Sequence, residues 1–92
     1  MKVVYTDEAL HDLNDILRYI ALNFPATYRG FEVRLYAVER RIGQWPQSAR
    51  RVTNRPDVRM VPLTRYPYNI FYRVMPDTVE ILHIRHSARQ DP

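Results

Sequence analysis

With 92 residues and a hydrophobic content of 46%, the chain is sized for a single folded domain, residues 1–92. It contains no cysteine, which excludes disulfides and thiolate metal sites, and it has no apolar run near the roughly 18 residues of a membrane span. The net charge of +4 comes from residues 47–92, where eight arginines face four acids, so an acidic partner, protein or nucleic acid, is expected there.

The first predicted elements are a short strand over residues 2–6 and a helix that begins at Thr6 or Asp7. Both residues are good helix caps, and the acidic first turn complements the helix dipole. The helix ends before Pro25, because a residue that precedes proline disfavours helical backbone. Its apolar residues recur at helical spacing and predict a buried stripe: Leu13, Ile16, Leu17, Ile20 and Phe24.

A second helix is predicted over residues 26–42, with Gly43 as its C-cap. Its apolar residues step by three and four along the chain: Tyr28, Phe31, Leu35, Val38 and Ile42. Because the connection between the helices is short, the two should form an antiparallel hairpin. Both stripes are interpreted as core.

Residues 44–57 are predicted to be a long loop, because they include two prolines and are mostly polar. Trp45 is expected to pack back on the helical hairpin. Three arginines make the segment basic: Arg50, Arg51 and Arg55. Loops of this length are often functional.

The last third of the chain predicts three strands, over residues 58–63, 68–75 and 78–86. The turns between them contain Tyr66-Pro67 and Pro76-Asp77, and connections this short pair strands antiparallel. The element order is therefore β-α-α-β-β-β. This predicts an α+β fold in which a helical hairpin packs on a small, mainly antiparallel sheet.

Alternation along the strands divides the sheet into two faces. The predicted buried face holds Ile70, Tyr72, Val74, Leu82 and Ile84. The other face mixes apolar and polar residues: Asn69, Phe71, Arg73, Val79, Ile81, His83 and Arg85. A half-polar face with large apolar groups is a candidate binding surface. The alternative is an ordinary solvated face, which is normal for antiparallel sheets.

Basic residues gather where the last strand ends and the turn before the middle strand begins. They are Arg65, Arg85, His86 and Arg89. Antiparallel pairing brings these two places together, and clustered arginines suit a carboxylate or phosphate on a partner. The alternative is that Arg85 pairs with an acid of its own chain.

Few residues point to catalysis or to a metal. His83 and His86 lie three apart on one strand and point to opposite faces, so they cannot chelate one ion, and neither a metal nor a cofactor is expected. The chain has only two glycines, which leaves no P-loop or dinucleotide-type loop. A metal-independent ribonuclease needs an acid–base pair and cations. The arginines and either histidine permit this chemistry, but their spacing does not demand it.

The run R-x-x-P-L-T-R-Y-P-Y-N-I-F-Y-R-V from Arg59, with I-L-H-I-R-H-S-A-R ending at Arg89, resembles the RelE/ParE superfamily of type II toxin–antitoxin toxins. The size and the helical hairpin extend the resemblance over nearly the whole chain. In that superfamily a small basic toxin is neutralised by an antitoxin whose C-terminal segment wraps it. The ParE branch poisons DNA gyrase, and the RelE branch cuts mRNA in the ribosomal A site.

The resemblance favours the ParE branch. The Arg65-Tyr66-Pro67-Tyr68 turn and the ending that closes on Arg89 are similar to ParE-like chains. Asn69 stands where the nuclease branch has an arginine, and the preceding strand has Arg59 and no lysine. These differences favour a non-enzymatic inhibitor of DNA gyrase. The alternatives are a RelE-like ribosome-dependent endoribonuclease, and a toxin fold that has lost activity or hits another target.

The resemblance also implies partners and a location. A ParD-like antitoxin should form a hetero-oligomer with the chain, in the bacterial cytoplasm, without a membrane and without direct nucleic-acid binding by the chain alone. The candidate target-binding residues are Arg65, Arg85, His86 and Arg89. The candidate antitoxin-binding residues are Phe71, Arg73, Ile81 and His83.

Overall fold

The computed structural model describes residues 1–88. Its first half contains β1 (Lys2–Tyr5), α1 (Asp7–Asn23), a 3-10 turn (Pro25–Thr27) and α2 (Tyr28–Gln44). Its second half contains β2 (Arg50–Val52), β3 (Arg55–Pro62), β4 (Tyr68–Val74) and β5 (Thr78–His86). Within the described part of the chain, no helix combines the length and the apolar character that crossing a membrane requires.

The five strands form one mixed sheet in the order β1-β5-β4-β3-β2. β1 runs parallel to β5, and the other neighbours are antiparallel. The two helices pack on one face of this sheet, which confirms the predicted α+β class. The loop predicted over residues 44–57 was wrong in part, because Arg50–Val52 pairs with β3 as an edge strand. A strand of three residues is too short to show a period-two pattern in the sequence.

The ends of the helices follow from caps and from one close contact. The side chain of Thr6 accepts a hydrogen bond from the Ala9 amide at 3.1 Å, which confirms the predicted start of α1. Gly43 was expected to be a C-cap, and that was wrong: it is buried in the last turn of α2. The Met1 amino group donates to the Gly43 carbonyl at 2.7 Å, and a Cβ on Gly43 would lie 2.9 Å from the Met1 oxygen. The glycine therefore makes room for the start of the chain.

Two aromatic residues that the sequence predicts to be packed, Trp45 and Phe24, are exposed. Trp45 is 66% exposed instead of packed on the hairpin. Phe24 is 55% exposed, because it caps the C-terminus of α1 with non-helical backbone and turns away from the stripe. The other core assignments of the two stripes hold, with Ile16, Phe31 and Ile42 among the buried residues.

The main core lies between the helices and the middle of the sheet. Tyr72 is fully buried there, as predicted, and its hydroxyl donates to the Pro46 carbonyl at 2.7 Å. Ile70 and Ile84 are paired across β4 and β5 and are also buried in this core.

A β-bulge in β5 changes the faces that alternation predicts. Phe71 pairs with His83, but Tyr72 pairs with Ile81, so Leu82 is an extra residue in the ladder. The extra residue shifts the phase of the strand by one. The assignment of Ile81 to the open face was therefore wrong, and it lies fully buried in the main core.

The same shift corrects two further residues of β5. Val79 was also expected on the open face, and it is fully buried in the main core. Leu82 was expected in the core, and it is only partly buried. Strict alternation cannot locate such a bulge, because it assumes one phase along the whole strand.

Candidate functional site

The bulge in β5 is held by side chains of α1 and its cap. The Thr6 hydroxyl lies within donating distance of two carbonyl oxygens, 3.1 Å from that of Ile81 and 3.3 Å from that of Leu82. Just beyond the bulge, the Ile84 amide donates to the Asp12 carboxylate at 3.1 Å. The ladder between β1 and β5 ends at the pair of Tyr5 and Ile81, so backbone groups of β5 beyond that pair need other partners, and Thr6 and Asp12 supply them.

Charged side chains extend this attachment. Arg85 lies 3.2 Å from a Glu8 carboxylate oxygen and 3.3 Å from an Asp12 oxygen. His83 Nδ1 lies 3.1 Å from the same Glu8 oxygen and 3.1 Å from Arg85 Nη2. We call Thr6, Glu8, Asp12, His83 and Arg85 the bulge clamp. The alternative considered for Arg85, an ion pair within its own chain, is what the structure contains.

The environment of His83 favours its neutral form. Burial lowers the pKa of His83, and the nearby Arg85 cation lowers it further, whereas the carboxylates of Glu8 and Asp12 raise it. The close approach of Glu8 taken alone would suggest a charged pair. Burial outweighs this attraction and keeps the pKa of His83 lowered, because its side chain is only 13% exposed and lies beside the permanent cation of Arg85.

Arg65 and His86 are brought together at the same end of the sheet. Tyr68 at the start of β4 pairs with His86 at the end of β5, which confirms the predicted register. Both Arg65 and His86 line a groove of about 560 Å³ between this end of the sheet and the C-terminal end of α1. His86 also stacks edge-on against Tyr68, with 5.5 Å between ring centroids.

Arg65 occupies an unusual backbone position. Its φ is 81°, in the region that favours glycine, and it is the one non-glycine residue with positive φ among those described. The Tyr66 amide donates to the Leu63 carbonyl at 2.8 Å and closes a β-turn in which Arg65 is the third residue. Positive φ at that place is typical of a type II turn, which usually has glycine there. The fold therefore tolerates strain to keep an arginine at this corner.

Two other arginines of the sheet, Arg59 and Arg73, bind within their own chain. Arg59 donates to the Ala49 carbonyl at 2.7 Å and to the Gln47 side chain at 2.6 Å. Arg73 forms a cross-strand ion pair with Glu80 at 2.9 Å. These guanidinium groups stabilise a loop end and a strand pair.

The residues predicted to bind an antitoxin do not form one surface. Ile81 is in the core, and Phe71, although on the opposite face, is also buried, so neither side chain is open to a partner. Arg73 and His83 are partly exposed, but one pairs with Glu80 and the other belongs to the bulge clamp. Binding through these two residues stays a prediction, as does the role of Arg89, which lies outside the described residues.

Sequence reasoning missed the helical wall of the groove. Tyr19 and Phe24 are more than half exposed, with their ring centroids 6.0 Å apart. The signal that was available is Tyr19 itself, an aromatic residue outside the apolar stripe of its helix. Among residues 1–88 no group of three histidine or acidic side chains is arranged to hold a metal ion.

Residues 3–91 match the family described as "ParE toxin of type II toxin-antitoxin system, parDE". A relative named Toxin RelE2, from Caulobacter vibrioides, is 34% identical over 89 residues, which are 96% of this chain and 97% of the relative.

Two solved structures share the fold. One is described as a chromosomal ParDE TA system from P. aeruginosa, with a TM-score of 0.77, 24% identity, and coverage of 94% of this chain and 95% of that one. The other is a YoeB/ParE toxin from Agrobacterium tumefaciens, with a TM-score of 0.64, 14% identity, and coverage of 94% and 98%. Both confirm the predicted architecture.

Proposed function

Because the chain belongs to the ParE toxin family of type II toxin–antitoxin systems, within the RelE/ParE superfamily, we propose that it inhibits growth by binding and poisoning DNA gyrase. It acts as a non-enzymatic inhibitor that traps gyrase on cleaved DNA. A ParD-like antitoxin, its partner in a hetero-oligomer, neutralises it.

The observation that carries the choice of an inhibitor over a nuclease is the state of the arginines. A ribonuclease needs cations free to stabilise a phosphate in the transition state, and a group that moves a proton. Arg59, Arg73 and Arg85 all donate to acceptors of their own chain. His83 is largely buried against the Arg85 cation. Most of the groups that would form a nuclease site are therefore engaged in holding the fold.

Arg65 and His86 remain available to the target. Arg65 is exposed and has no ion-pair partner within residues 1–88, and His86 is exposed beside it on the groove. We propose that these two residues contact gyrase and that Arg89, three residues after His86 in the sequence, is a further candidate contact. Arg85 serves indirectly, because it holds the last strand on α1.

A gyrase supercoiling assay with purified toxin tests the function. The proposal expects loss of supercoiling and accumulation of cleaved DNA, with no inhibition by the same toxin after saturation with its antitoxin. In cells it expects a DNA damage response and filamentation before translation falls. Unimpaired supercoiling at an excess of folded toxin would contradict it.

A second candidate is a RelE-like endoribonuclease, favoured by the 34% identity to a relative named Toxin RelE2. This function predicts mRNA cut at the A site of translating ribosomes and an early stop of protein synthesis. Mapping mRNA ends on ribosomes that were incubated with the toxin separates the two functions. Cleavage at A-site codons, with gyrase unaffected, would replace the first proposal by the second.

A further inference from the structure

The groove beside Arg65 has one wall from the sheet and one from the helices. We call it the aromatic groove and define it by Tyr19, Phe24, Arg65, Tyr66, Tyr68 and His86. Its volume of about 560 Å³ falls in the range of sites that bury a small ligand or a few side chains of a partner.

The sheet wall of the aromatic groove is already ordered in the absence of a partner. The rings of Tyr66 and Tyr68 both stand edge-on against the buried ring of Phe31, with centroids 5.7 and 5.8 Å apart. Gly30 allows this approach, because a Cβ there would lie 2.5 Å from the Tyr66 hydroxyl oxygen. A wall that is already ordered lowers the entropy cost of binding.

The helical wall is apolar surface without a cover. Tyr19 is 53% exposed and Phe24 is 55% exposed, and their rings lie side by side at the end of α1. The Thr27 hydroxyl donates to the Phe24 carbonyl at 2.7 Å and fixes the backbone of this corner. Contiguous exposed aromatic surface next to a preformed wall is typical of a site for a protein partner.

The positive charge of Arg65 at the aromatic groove favours an acidic partner. No carboxylate lines it among the described residues, and Arg65 faces it without an ion-pair partner within that part of the chain. Two acids line the adjoining groove, where Asp12 is paired with Arg85, and Asp15 with Arg18. A carboxylate placed beside an apolar side chain would complement both features.

We propose that the aromatic groove seats an acidic segment of the antitoxin. One large aliphatic or aromatic side chain lies between Phe24 and Tyr68, and a carboxylate of the same segment pairs with Arg65. The inference rests on the proposed function in assuming that an antitoxin is the partner. An acidic antitoxin segment is the favoured occupant because Arg65 has no ion-pair partner within residues 1–88 and no carboxylate lines the aromatic groove among the described residues, so a carboxylate from the partner completes the charge.

The proposed seat gives neutralisation a physical basis. A segment in the aromatic groove covers Arg65 and His86, the two groups that the proposed function directs at gyrase. Antitoxin and gyrase then exclude each other at one set of residues. The strain at Arg65 fits this double use, because a glycine would relieve the strain but lose the cation.

Titration calorimetry tests the seat, with purified toxin variants and the full-length antitoxin encoded beside the toxin gene. Phe24→Ala removes the apolar wall, and Arg65→Glu reverses the charge at the rim. Each should raise the Kd at least about tenfold, as expected when a central anchor or its ion pair is lost. Thermal unfolding by circular dichroism confirms that each variant is folded, and either variant suffices if the other fails to fold.

Matched controls lie on other surfaces. Tyr36→Ala removes an aromatic side chain that is 62% exposed on α2, and Arg51→Glu reverses an exposed charge on β2. Both should keep the Kd within about twofold, because surface residues outside a binding centre contribute little. Equal losses in the controls and the groove variants would overturn the seat.

The outcomes separate the seat from the function on which it rests. If wild-type toxin does not bind the antitoxin at all, the proposed pairing fails and the seat fails with it. If wild-type toxin binds but both groove variants bind as tightly, only the seat is overturned. A Phe24→Ala toxin that loses gyrase inhibition yet keeps full antitoxin affinity would assign the aromatic groove to the target and also overturn it. Toxicity that antitoxin no longer suppresses in Phe24→Ala cells supports it.

Discussion

Arg65 and Arg85 stand at the same end of the sheet, but their surroundings differ. Arg85 has a side chain that is 23% exposed and lies beside two carboxylates of α1. Arg65 is exposed on a strained turn and has no ion-pair partner within the described residues. Arg85 therefore stabilises the fold, whereas Arg65 is presented to solvent.

The difference shows how a basic patch should be interpreted. Two cations that converge in space do not share a role when one of them compensates a backbone irregularity. The bulge clamp needs Arg85, because Asp12 accepts from the Ile84 amide and would otherwise be a partly buried anion without a cation. Arg65 and the aromatic groove can change with much less effect on the fold.

Asp12→Ala should have the largest effect, a loss of about 2–4 kcal/mol of unfolding free energy. The change leaves the Ile84 amide without its acceptor and Arg85 without one of its two carboxylates. Chemical denaturation at neutral pH measures it. Asp15→Ala is the matched control, since its carboxylate pairs only at the exposed surface and should cost less than about 1 kcal/mol. Equal stability of the two variants would mean that the clamp does not hold the bulge.

Arg85→Ala should cost about 1–3 kcal/mol, less than Asp12→Ala because the bulge keeps its acceptor. Two carboxylates, Glu8 and Asp12, lose their shared cation. Arg85→Lys should recover part of the loss, because it restores charge without the two-armed contact. A melting temperature unchanged by Arg85→Ala would show that Arg85 does not stabilise the fold and behaves as an exposed surface cation.

The pH dependence of stability should report His83. Its pKa is lowered in the folded chain, so the unfolded chain binds more protons just below the usual histidine value. The stability that depends on the neutral ring is therefore present above about pH 6.5 and is lost as the pH falls through the folded pKa. Unfolding free energies at pH 7.5 and 5.5 should differ less in His83→Gln than in the wild type. An identical difference in both proteins would contradict a neutral His83 ring in the folded chain.

Arg65→Gly should have the smallest effect on stability and the opposite sign to Arg85→Ala. Glycine adopts positive φ without strain, so the turn is relieved, while the more flexible unfolded chain offsets part of the gain. The unfolding free energy should stay within about 1 kcal/mol of the wild type, on the more stable side. A large loss would show that Arg65 supports the fold as Arg85 does.

Several parts of this structure follow from local sequence signals. The cap at Thr6 and the stop before Pro25 are local preferences of the backbone, and both ends of α1 are where they predict. The period of two in β4 places Tyr72 in the core, and Ile70 with it, because that strand has no irregularity of its own. Local patterns predict the ends and faces of an element correctly where these do not depend on contacts with distant residues.

The wrong predictions concern positions whose conformation depends on residues far away in the sequence. Asp12 stabilises the bulge in β5 by accepting a hydrogen bond from the Ile84 amide. The two residues lie 72 positions apart in the sequence. No period within the strand contains that information, so strict alternation predicts the wrong face for Ile81. Gly43 is fixed by Met1 in the same way, through a contact between the start of the chain and the end of α2. The sequence groups Arg85 with Arg65 for the same reason, because the carboxylate partners of Arg85 lie on α1, more than 70 residues away.

The most direct test of the central claim is a gyrase supercoiling assay on Arg65→Gly and Arg85→Ala at matched concentrations of folded protein. The account predicts that Arg65→Gly, as stable as the wild type or more so, loses most of its inhibition. It predicts that Arg85→Ala, though less stable, still inhibits once corrected for its folded fraction. Full inhibition by Arg65→Gly, or its loss in folded Arg85→Ala alone, would contradict the division between the two arginines.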